Sequence, residues 1–250
     1  MMTKLKKIAG FLNNLLKSKA KDYSVNGLQV KGKDEVRKIA FAVDACIDVF
    51  EKAKNEKADL IIVHHGLFWK GKKQGRFLKK RISVLRKNKI SLYASHLPLD
   101  LHPEYGNNAQ ICNAFNLQNL KKFGDYHGTK IGFKGEFEKE ISMNEFLNLI
   151  KKKINKNPAV FDFGKKKIKK VAVVSGGAGD FTGDAINEGV DVYLTGESKH
   201  HLFHIAKEGK MNVVFAGHYA TEVFGVKAIA KVLKKKFGVE TSFIDSQTGL

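Results

Sequence analysis

Three short apolar runs, each stopping abruptly at a histidine, a serine or a glycine, constrain this chain more than any other feature. Leu60-Ile61-Ile62-Val63 runs into His64-His65-Gly66, Val171-Ala172-Val173-Val174 into Ser175-Gly176-Gly177, and Val213-Val214-Phe215-Ala216 into Gly217-His218. Runs of that length, apolar at every position rather than at alternate ones, fit strands buried on both faces. Further strands are expected at Val36–Val43, Ile90–Ser95, Asp191–Thr195 and Val239–Ile244. Helical periodicity occupies about 4–18, 48–57, 76–88 and 107–115, then 142–154, where Ser142 and Glu145 form a capping box. A long helix follows His218 to about Lys236.

This alternation predicts an α/β protein of two similar lobes, with mainly parallel or mixed sheets covered by helices. The likeness of Asp59–His65 to Asp191–Thr195 suggests the two lobes, and a soft boundary near 124 gives 1–124 and 125–250. Around 123–165 the pattern is irregular apart from the capped helix, because Gly124, Gly128, Gly132 and Gly135 break it into short strand-like pieces.

No apolar run reaches the length needed to span a bilayer, and the N-terminus reads as an amphipathic helix rather than an export signal. A cytoplasmic location without membrane partners is the expectation. Cys46 and Cys112 form no metal-binding pair and read as small buried hydrophobes. The formal net charge of +20, from 45 basic and 25 acidic residues, favours polyanionic partners, either a small phosphorylated substrate or nucleic acid. Lysine runs such as Lys151–Lys153 and Lys234–Lys236 are mainly solvated helix faces on this reading. Signatures of helix-turn-helix, zinc-finger and RRM modules are missing from the sequence.

Open parallel sheets bind ligands beyond the carboxyl ends of their strands. His64 and His65 stand at one such end, His96 and Asp100 follow another, and His218 follows a third. Glu222 comes four residues after His218, on the same helix face. Imidazole nitrogen and carboxylate oxygen together suit divalent ions, and a carboxylate can bridge two of them. Neighbouring histidines in extended backbone diverge, so one ion for each is the simpler arrangement. Taken singly, each of these groups also has an ordinary structural explanation.

Asn26–Val30, His64-His65 before Gly66, His96–Asp100, Ser175–Asp180, Thr195-Gly196-Glu197 and Gly217–Glu222 occur in this order along the chain. Together they resemble the NIF3-like family, whose members are often labelled GTP cyclohydrolase 1 type 2 homologs, and the resemblance covers essentially the whole chain. It implies a dinuclear centre with His64, His65, Asp100, His218 and Glu222 as ligands, Asp100 and Glu222 bridging. The N-terminal lobe would supply His64, His65 and Asp100, and the second lobe His218 and Glu222. Two divalent ions per subunit are implied, drawn from Zn, Mn, Fe, Ni or Co, together with a homo-oligomer of toroidal, hexameric form.

Around these ligands, His96 is expected to donate a proton or orient a substrate, or else to hydrogen-bond Asp100 or backbone. Glu197 is a candidate general base, or a charge placed at a helix N-terminus. Asp44, Tyr219 and His200 are candidates for supporting or pocket positions. Phe68 and Trp69 either floor a pocket or fill the core, and Asn26 and Gln29 line a pocket or brace the fold. The glycine-rich turn at Gly176–Gly179 lacks the Lys-Ser/Thr of a P-loop and reads as a tight turn. Two functions are compatible with all this. One is a metal-dependent hydrolase of a nucleotide or related small molecule. The other is a basic homo-oligomeric nucleic-acid-binding or regulatory protein with a mainly structural metal site.

Overall fold

The computed structural model describes residues 2–72 and 75–249. Its strands are β1 Thr3–Lys4, β2 Gly27–Val30, β3 Glu35–Val36, β4 Lys38–Asp44, β5 Leu60–His65, β6 Ser91–Ala94, β7 Gln118–Tyr126, β8 Thr129–Ser142, β9 Ala159–Asp162, β10 Lys167–Val173, β11 Val192–Thr195, β12 Asn212–Phe215 and β13 Glu240–Phe243. The helices are α1 Leu5–Leu15, α2 Ile47–Asn55, α3 Arg76–Lys87, α4 Leu97–Asp100, α5 Asn107–Ala114, α6 Met143–Lys153, α7 Thr182–Asn187, α8 Leu202–Glu208 and α9 His218–Phe237. They form two compact units, Met1–Leu99 with Gly225–Ser246, and Asp100–Phe224 with Gln247–Leu250.

The first unit holds a five-stranded sheet of order β13-β4-β5-β6-β2. β13, β4, β5 and β6 run parallel, and β2 closes one edge antiparallel to β6. The apolar run read from sequence becomes β5, whose Leu60–Val63 are all buried, with His64 and His65 as its last two residues. Ala40, Ala42, Ile61, Val63, Leu92 and Ala94 pack with Val49 and Phe50 of α2 and Leu85 of α3 into this unit's core.

The second unit holds a six-stranded sheet of order β7-β8-β10-β11-β12-β9, in which only β10, β11 and β12 are mutually parallel. β8 and β9 flank that trio antiparallel, and β7 pairs with β8. The stretch expected to be irregular is instead a long antiparallel hairpin. Its glycines serve close packing, since a Cβ on Gly132 would stand 2.5 Å from the Val173 carbonyl oxygen. The turn itself uses Gly128 at φ +81, a conformation that side chains other than glycine's disfavour. α6 begins as expected, with the reciprocal Ser142 and Glu145 hydrogen bonds both made.

The boundary differs from the one near 124. Contacts place it at Leu99/Asp100 and again inside α9, so Asp100 belongs to the second unit rather than to the same unit as His64 and His65. The physical reason lies in Asp100's partners, Asn107, Asn108 and Ser175, all in the second unit. The last turns of α9 and β13 return to complete the first unit's sheet.

The two units repeat one another in detail. Asp59, just before β5, accepts from the backbone N–H of Arg37 and Lys38 and from Lys33 Nζ. Asp191, just before β11, accepts from the backbone N–H of Lys169 and Lys170 and from Lys165 Nζ. The separations are the same in both sets: 22, 21 and 26 residues. Ser91 Oγ accepts from Gly32 N in one unit, and Asn212 Oδ1 accepts from Gly164 N in the other. Two similar lobes are thus shared down to their polar fastenings.

Candidate metal centre

In the first unit β5 and β6 deliver three imidazoles to one place. His64 is fully buried, and its Nδ1–H donates to the Ser95 carbonyl oxygen at 2.9 Å. The His65 Nδ1–H donates to Asp44 Oδ1, at the end of β4, also at 2.9 Å. Although successive strand residues face opposite ways, these two imidazoles reach past the strand end and their centroids lie 4.7 Å apart. His96, just beyond β6, brings its ring to 5.1 Å from His64 and 5.5 Å from His65.

The Asn26–Val30 segment holds this end of the sheet together. Asn26 Oδ1 accepts from the His96 backbone N–H at 2.7 Å. The register of β2 slips between Leu28 and Val30, leaving Gln29 to turn its side chain to the loop after His65. There its Oε1 accepts from Leu67 N at 2.7 Å, and a Cβ on Gly66 would collide with the same amide. Trp69 donates from Nε1 to the Gly66 carbonyl and stands edge-on to His96, 5.1 Å away. Phe68 packs on the core.

Asp22 is a residue that sequence reasoning missed. Its Oδ1 accepts from His96 Nδ1 at 2.9 Å and from Ser24 N, and its Oδ2 from Asn26 Nδ2 and Leu97 N. Burial works against its charge, but His96 and the donors Asn26 and Ser24 outweigh it and hold the carboxyl below the ordinary carboxylate range. Asp22 and His96 are 74 residues apart, so no local pattern announces the pair.

In the second unit the ends of β10, β11 and β12 are laced by their glycines. Gly196 N donates to the Gly176 carbonyl, Gly217 N to the Gly196 carbonyl, and Gly176 N to Thr221 Oγ1 in the first turn of α9. This lacing places two acidic groups and one imidazole. His218 opens α9, with its Nδ1 2.6 Å from Glu197 Oε1 and its Nε2 3.1 Å from Glu222 Oε1. Burial pulls the His218 pKa down, yet Glu222 and Glu197 outweigh burial and raise it to about 9. Both carboxylates thus favour the protonated ring.

Glu222 is 3% exposed and Asp100 is 6% exposed. Asp100 Oδ1 accepts from Asn107 Nδ2 at 2.8 Å and Ser175 Oγ at 3.1 Å, neutral donors that orient a carboxylate without discharging it. Gly176 sits at φ +70, and a Cβ there would run into Glu222 Oε1 and lie 3.2 Å from His218 Nε2. The turn is glycine because the acid and the imidazole occupy that space. It is the tight turn expected from sequence.

The other candidates fall into place around these groups. Glu197 lies between β11 and α8 and hydrogen-bonds His218. Asp44 supports His65. Tyr219 is buried in the first turn of α9. His200 is exposed, and its carbonyl accepts from Phe203 N at the start of α8.

The donor set suits divalent metal. Donors sharing a cation with bonds of about 2.1 Å stand about 3.0–3.4 Å apart in octahedral or tetrahedral geometry, a range that includes the 3.1 Å separation of His218 Nε2 from Glu222 Oε1. A nitrogen donor whose other ring nitrogen is fixed by an oxygen acceptor is how ligating histidines are held, and His64, His65 and His218 all show it. The residues therefore fit a metal centre of clustered His, Asp and Glu side chains.

A family model described as Duf34/NIF3 (NGG1p interacting factor 3) matches residues 3–249. The chain belongs to the Duf34/NIF3 family. A Pyrococcus abyssi protein named GTP cyclohydrolase 1 type 2 homolog is 46% identical over 246 residues, covering 97% of this chain and 98% of the relative. Among solved structures, the ybgI protein, described as of unknown function, superposes with a TM-score of 0.91 at 33% identity, covering 99% of this chain and all of the other. A Thermus thermophilus protein gives 0.90 at 36% identity with the same coverage. For this NIF3 family member the α/β fold with two mixed sheets is thus the family fold. No helix among the described residues is long and apolar enough to cross a membrane.

Proposed function

We propose that this protein is a dinuclear-metal hydrolase acting on a nucleotide or related small molecule, with His64, His65, Asp100, His218 and Glu222 as the metal ligands. The observation that carries the reading is the preparation of the ligands. Each of the three histidines has its Nδ1 fixed by an oxygen, and both carboxylates are buried. Carboxylate oxygens beside imidazole nitrogens are the mixed donor types that divalent ions take. Divalent ions at such ligands supply Lewis acidity, water activation and stabilisation of developing negative charge.

The protein's own contribution is orientation. Asp44 and the Ser95 carbonyl aim the first unit's imidazoles, while Glu197 holds His218 in the tautomer that turns Nε2 to the ligand position. Asn107 and Ser175 fix Asp100. The curated relatives' name supports a nucleotide as the substrate class, and the basic surface would draw a phosphorylated molecule toward the protein. Zn, Mn, Fe, Ni and Co all suit mixed imidazole and carboxylate ligation.

Metal analysis of freshly purified and of reconstituted protein tests the ligand set, with two ions per chain expected and Asp100→Ala reducing that content. A nucleotide panel then tests the reaction. Equal hydrolysis by wild type and Asp100→Ala would sink the hydrolase reading. The homohexameric assembly is checked by light scattering of the intact protein, where a monomer would overturn it.

A second reading, nucleic-acid binding with the metals mainly structural, is favoured by α3. Arg76, Lys79, Lys80, Arg86 and Lys87 are exposed on this helix, which contains no acidic residue. In the second unit Lys165, Lys166, Lys167, Lys169 and Lys170 line a depression of about 550 Å³. Binding of DNA or RNA that survives loss of the metals supports this reading, and its absence at low salt rules it out.

A further inference from the structure

The loop after β5 carries two aromatic residues in succession, and the first unit uses them differently. Phe68 packs against the apolar core, whereas Trp69 takes no part in that core and stays half-buried at its margin. Its position is nevertheless fixed. Trp69 forms an antiparallel bridge with Ser24, flanked by hydrogen bonds from Val25 N to the Phe68 carbonyl and from Lys70 N to the Tyr23 carbonyl. The indole Nε1–H donates to the Gly66 carbonyl at 3.1 Å, so the ring's one polar atom is committed to backbone.

The neighbouring rings meet the indole at an angle. His96 stands 5.1 Å away at 72°, and His65 6.0 Å away at 47°. Among the described residues no ring stacks parallel to it. Over one face lies the Lys72 ammonium, 5.7 Å from the ring centroid, on an exposed side chain with a flexible four-carbon stem. A tryptophan placed for stability alone would join its neighbour in the core. This one is braced at its edge, beside His65, and turns a face to a movable cation.

We propose that this face of Trp69 is the stacking platform for the base of a nucleotide, with Lys72 moving from the ring to the nucleotide's phosphates. The inference rests on the nucleotide reading above and names the residue that recognises the base. Every nucleobase has a π-face, and stacking on an aromatic side chain strengthens binding by about 10–100-fold. The cation–π contact that the base displaces is weak at an exposed position, and the ammonium gains a charge-assisted bond to phosphate in exchange.

Trp69 is the chain's single tryptophan, so tryptophan fluorescence reports on this site alone. Metal-loaded full-length protein is excited at the red edge of indole absorption, where nucleotides are transparent. It is titrated with adenosine, ATP, GTP and inorganic tripolyphosphate, and calorimetry gives the affinities. The chains compared are wild type, Trp69→Leu, Trp69→Phe and Lys72→Gln, each checked for metal content and thermal melting. Adenosine, ATP and GTP are expected to quench the emission, and tripolyphosphate to leave it unquenched. Trp69→Leu should weaken ATP binding by about 10–100-fold at unchanged metal content, and Trp69→Phe should recover most of it. Lys72→Gln should weaken ATP but not adenosine, which has no phosphate for the ammonium to meet.

Trp69→Leu that binds ATP as tightly as wild type overturns the inference. Chromatography of the same samples scores hydrolysis, and hydrolysis that Asp100→Ala abolishes then leaves the hydrolase reading standing while this one falls. Base-dependent binding that Trp69→Leu loses, with no hydrolysis by wild type, supports the inference and counts against the hydrolase. A wild type that binds neither adenosine nor ATP nor GTP overturns both this inference and the nucleotide reading beneath it. Where Trp69→Leu does not fold, the wild-type emission decides the matter. Quenching by adenosine and ATP but not by tripolyphosphate supports the inference, and equal responses to all three overturn it.

Discussion

Glu197 and Glu222 grip the same imidazole from opposite sides, at 2.6 Å from Nδ1 and 3.1 Å from Nε2 of His218. The two carboxylates do different work. On the proposed metal reading, Glu222 offers an oxygen at the spacing of a fellow ligand, whereas Glu197 sets the tautomer. Glu197→Gln keeps the shape and removes the charge. Metal affinity is expected to fall by about 10–100-fold while the number of ions bound is unchanged. In metal-free protein the His218 pKa, raised to about 9, should move down toward the ordinary imidazole value because one of its two opposing charges is gone. NMR titration of the imidazole C–H signals reads that shift, and an unmoved pKa would remove Glu197 from this role.

Gly176→Ala tests the crowding of the β10 turn. The added methyl meets Glu222 Oε1, and φ +70 is unfavourable for alanine. A loss of about 1–3 kcal/mol in unfolding free energy is expected, together with weakened metal binding. Gly183→Ala, at a position in α7 where a Cβ meets nothing within 4 Å, is the control and should leave metal binding unchanged while keeping or raising stability, by up to about 1 kcal/mol. Equal denaturation midpoints for the two variants would show that the turn tolerates a side chain.

Asp191 predicts a specific acid sensitivity. Burial opposes its charge, but Lys165 and the backbone N–H groups of Lys170 and Lys169 outweigh burial and lower its pKa from 3.8. A carboxyl whose folded pKa lies below its unfolded value adds stability that is complete above the unfolded pKa. That stability disappears as pH falls through the folded pKa. Asp191→Asn should therefore cost about 1–3 kcal/mol at neutral pH and show a shallower loss of stability below about pH 4. Urea melts from about pH 7 down to about pH 2.5 measure both. Parallel acid limbs for the variant and wild type would exclude Asp191 as a source of the slope.

The basic face of α3 predicts salt-sensitive polyanion binding. Neutralising Lys79, Lys80 and Arg86 with glutamine should weaken binding to an arbitrary DNA duplex. It should also flatten the dependence of log affinity on log salt by about 0.9 for each phosphate no longer neutralised. Fluorescence anisotropy between about 50 and 200 mM salt provides the slope. An unchanged slope would place the phosphate-binding face elsewhere on the chain.

Much of the frame was legible because parallel strands leave an unmistakable trace. Leu60–Val63, Val171–Val174 and Val213–Ala216 are apolar at every position, and all lie in the centres of their sheets or at the strand ends there. The β7–β8 hairpin was not legible, because its strands carry exposed lysines and glycines at points of close backbone approach. Those glycines look like breaks in a sequence but act as clearances in the fold. Among site residues, histidines at strand ends stood out, since few bland explanations gather several of them at one sheet edge. Asp22 gave no such signal. Its meaning depends on a loop that returns to His96 across 74 residues, which only tertiary structure reveals. The unit boundary was hidden for a related reason, because contacts of Asp100 and the end of α9 decide it rather than any change in composition.

The matched fastenings at Asp59 and Asp191 make β4 and β5 of one sheet comparable with β10 and β11 of the other. The shift of 132 positions that carries Lys33 to Lys165 and Asp59 to Asp191 also carries His64 to Gly196 and His65 to Glu197. At the same post, then, one lobe presents an imidazole, and the other presents the carboxylate that steadies an imidazole on the neighbouring strand's helix. A repeated frame lets a position be freed from its first task without losing the fold, because the polar fastenings lie at the opposite end of the strand. The symmetry is kept where it stabilises and broken at the strand ends, so that one scaffold, used twice, presents an imidazole in the first copy and, in the second, a carboxylate that holds one.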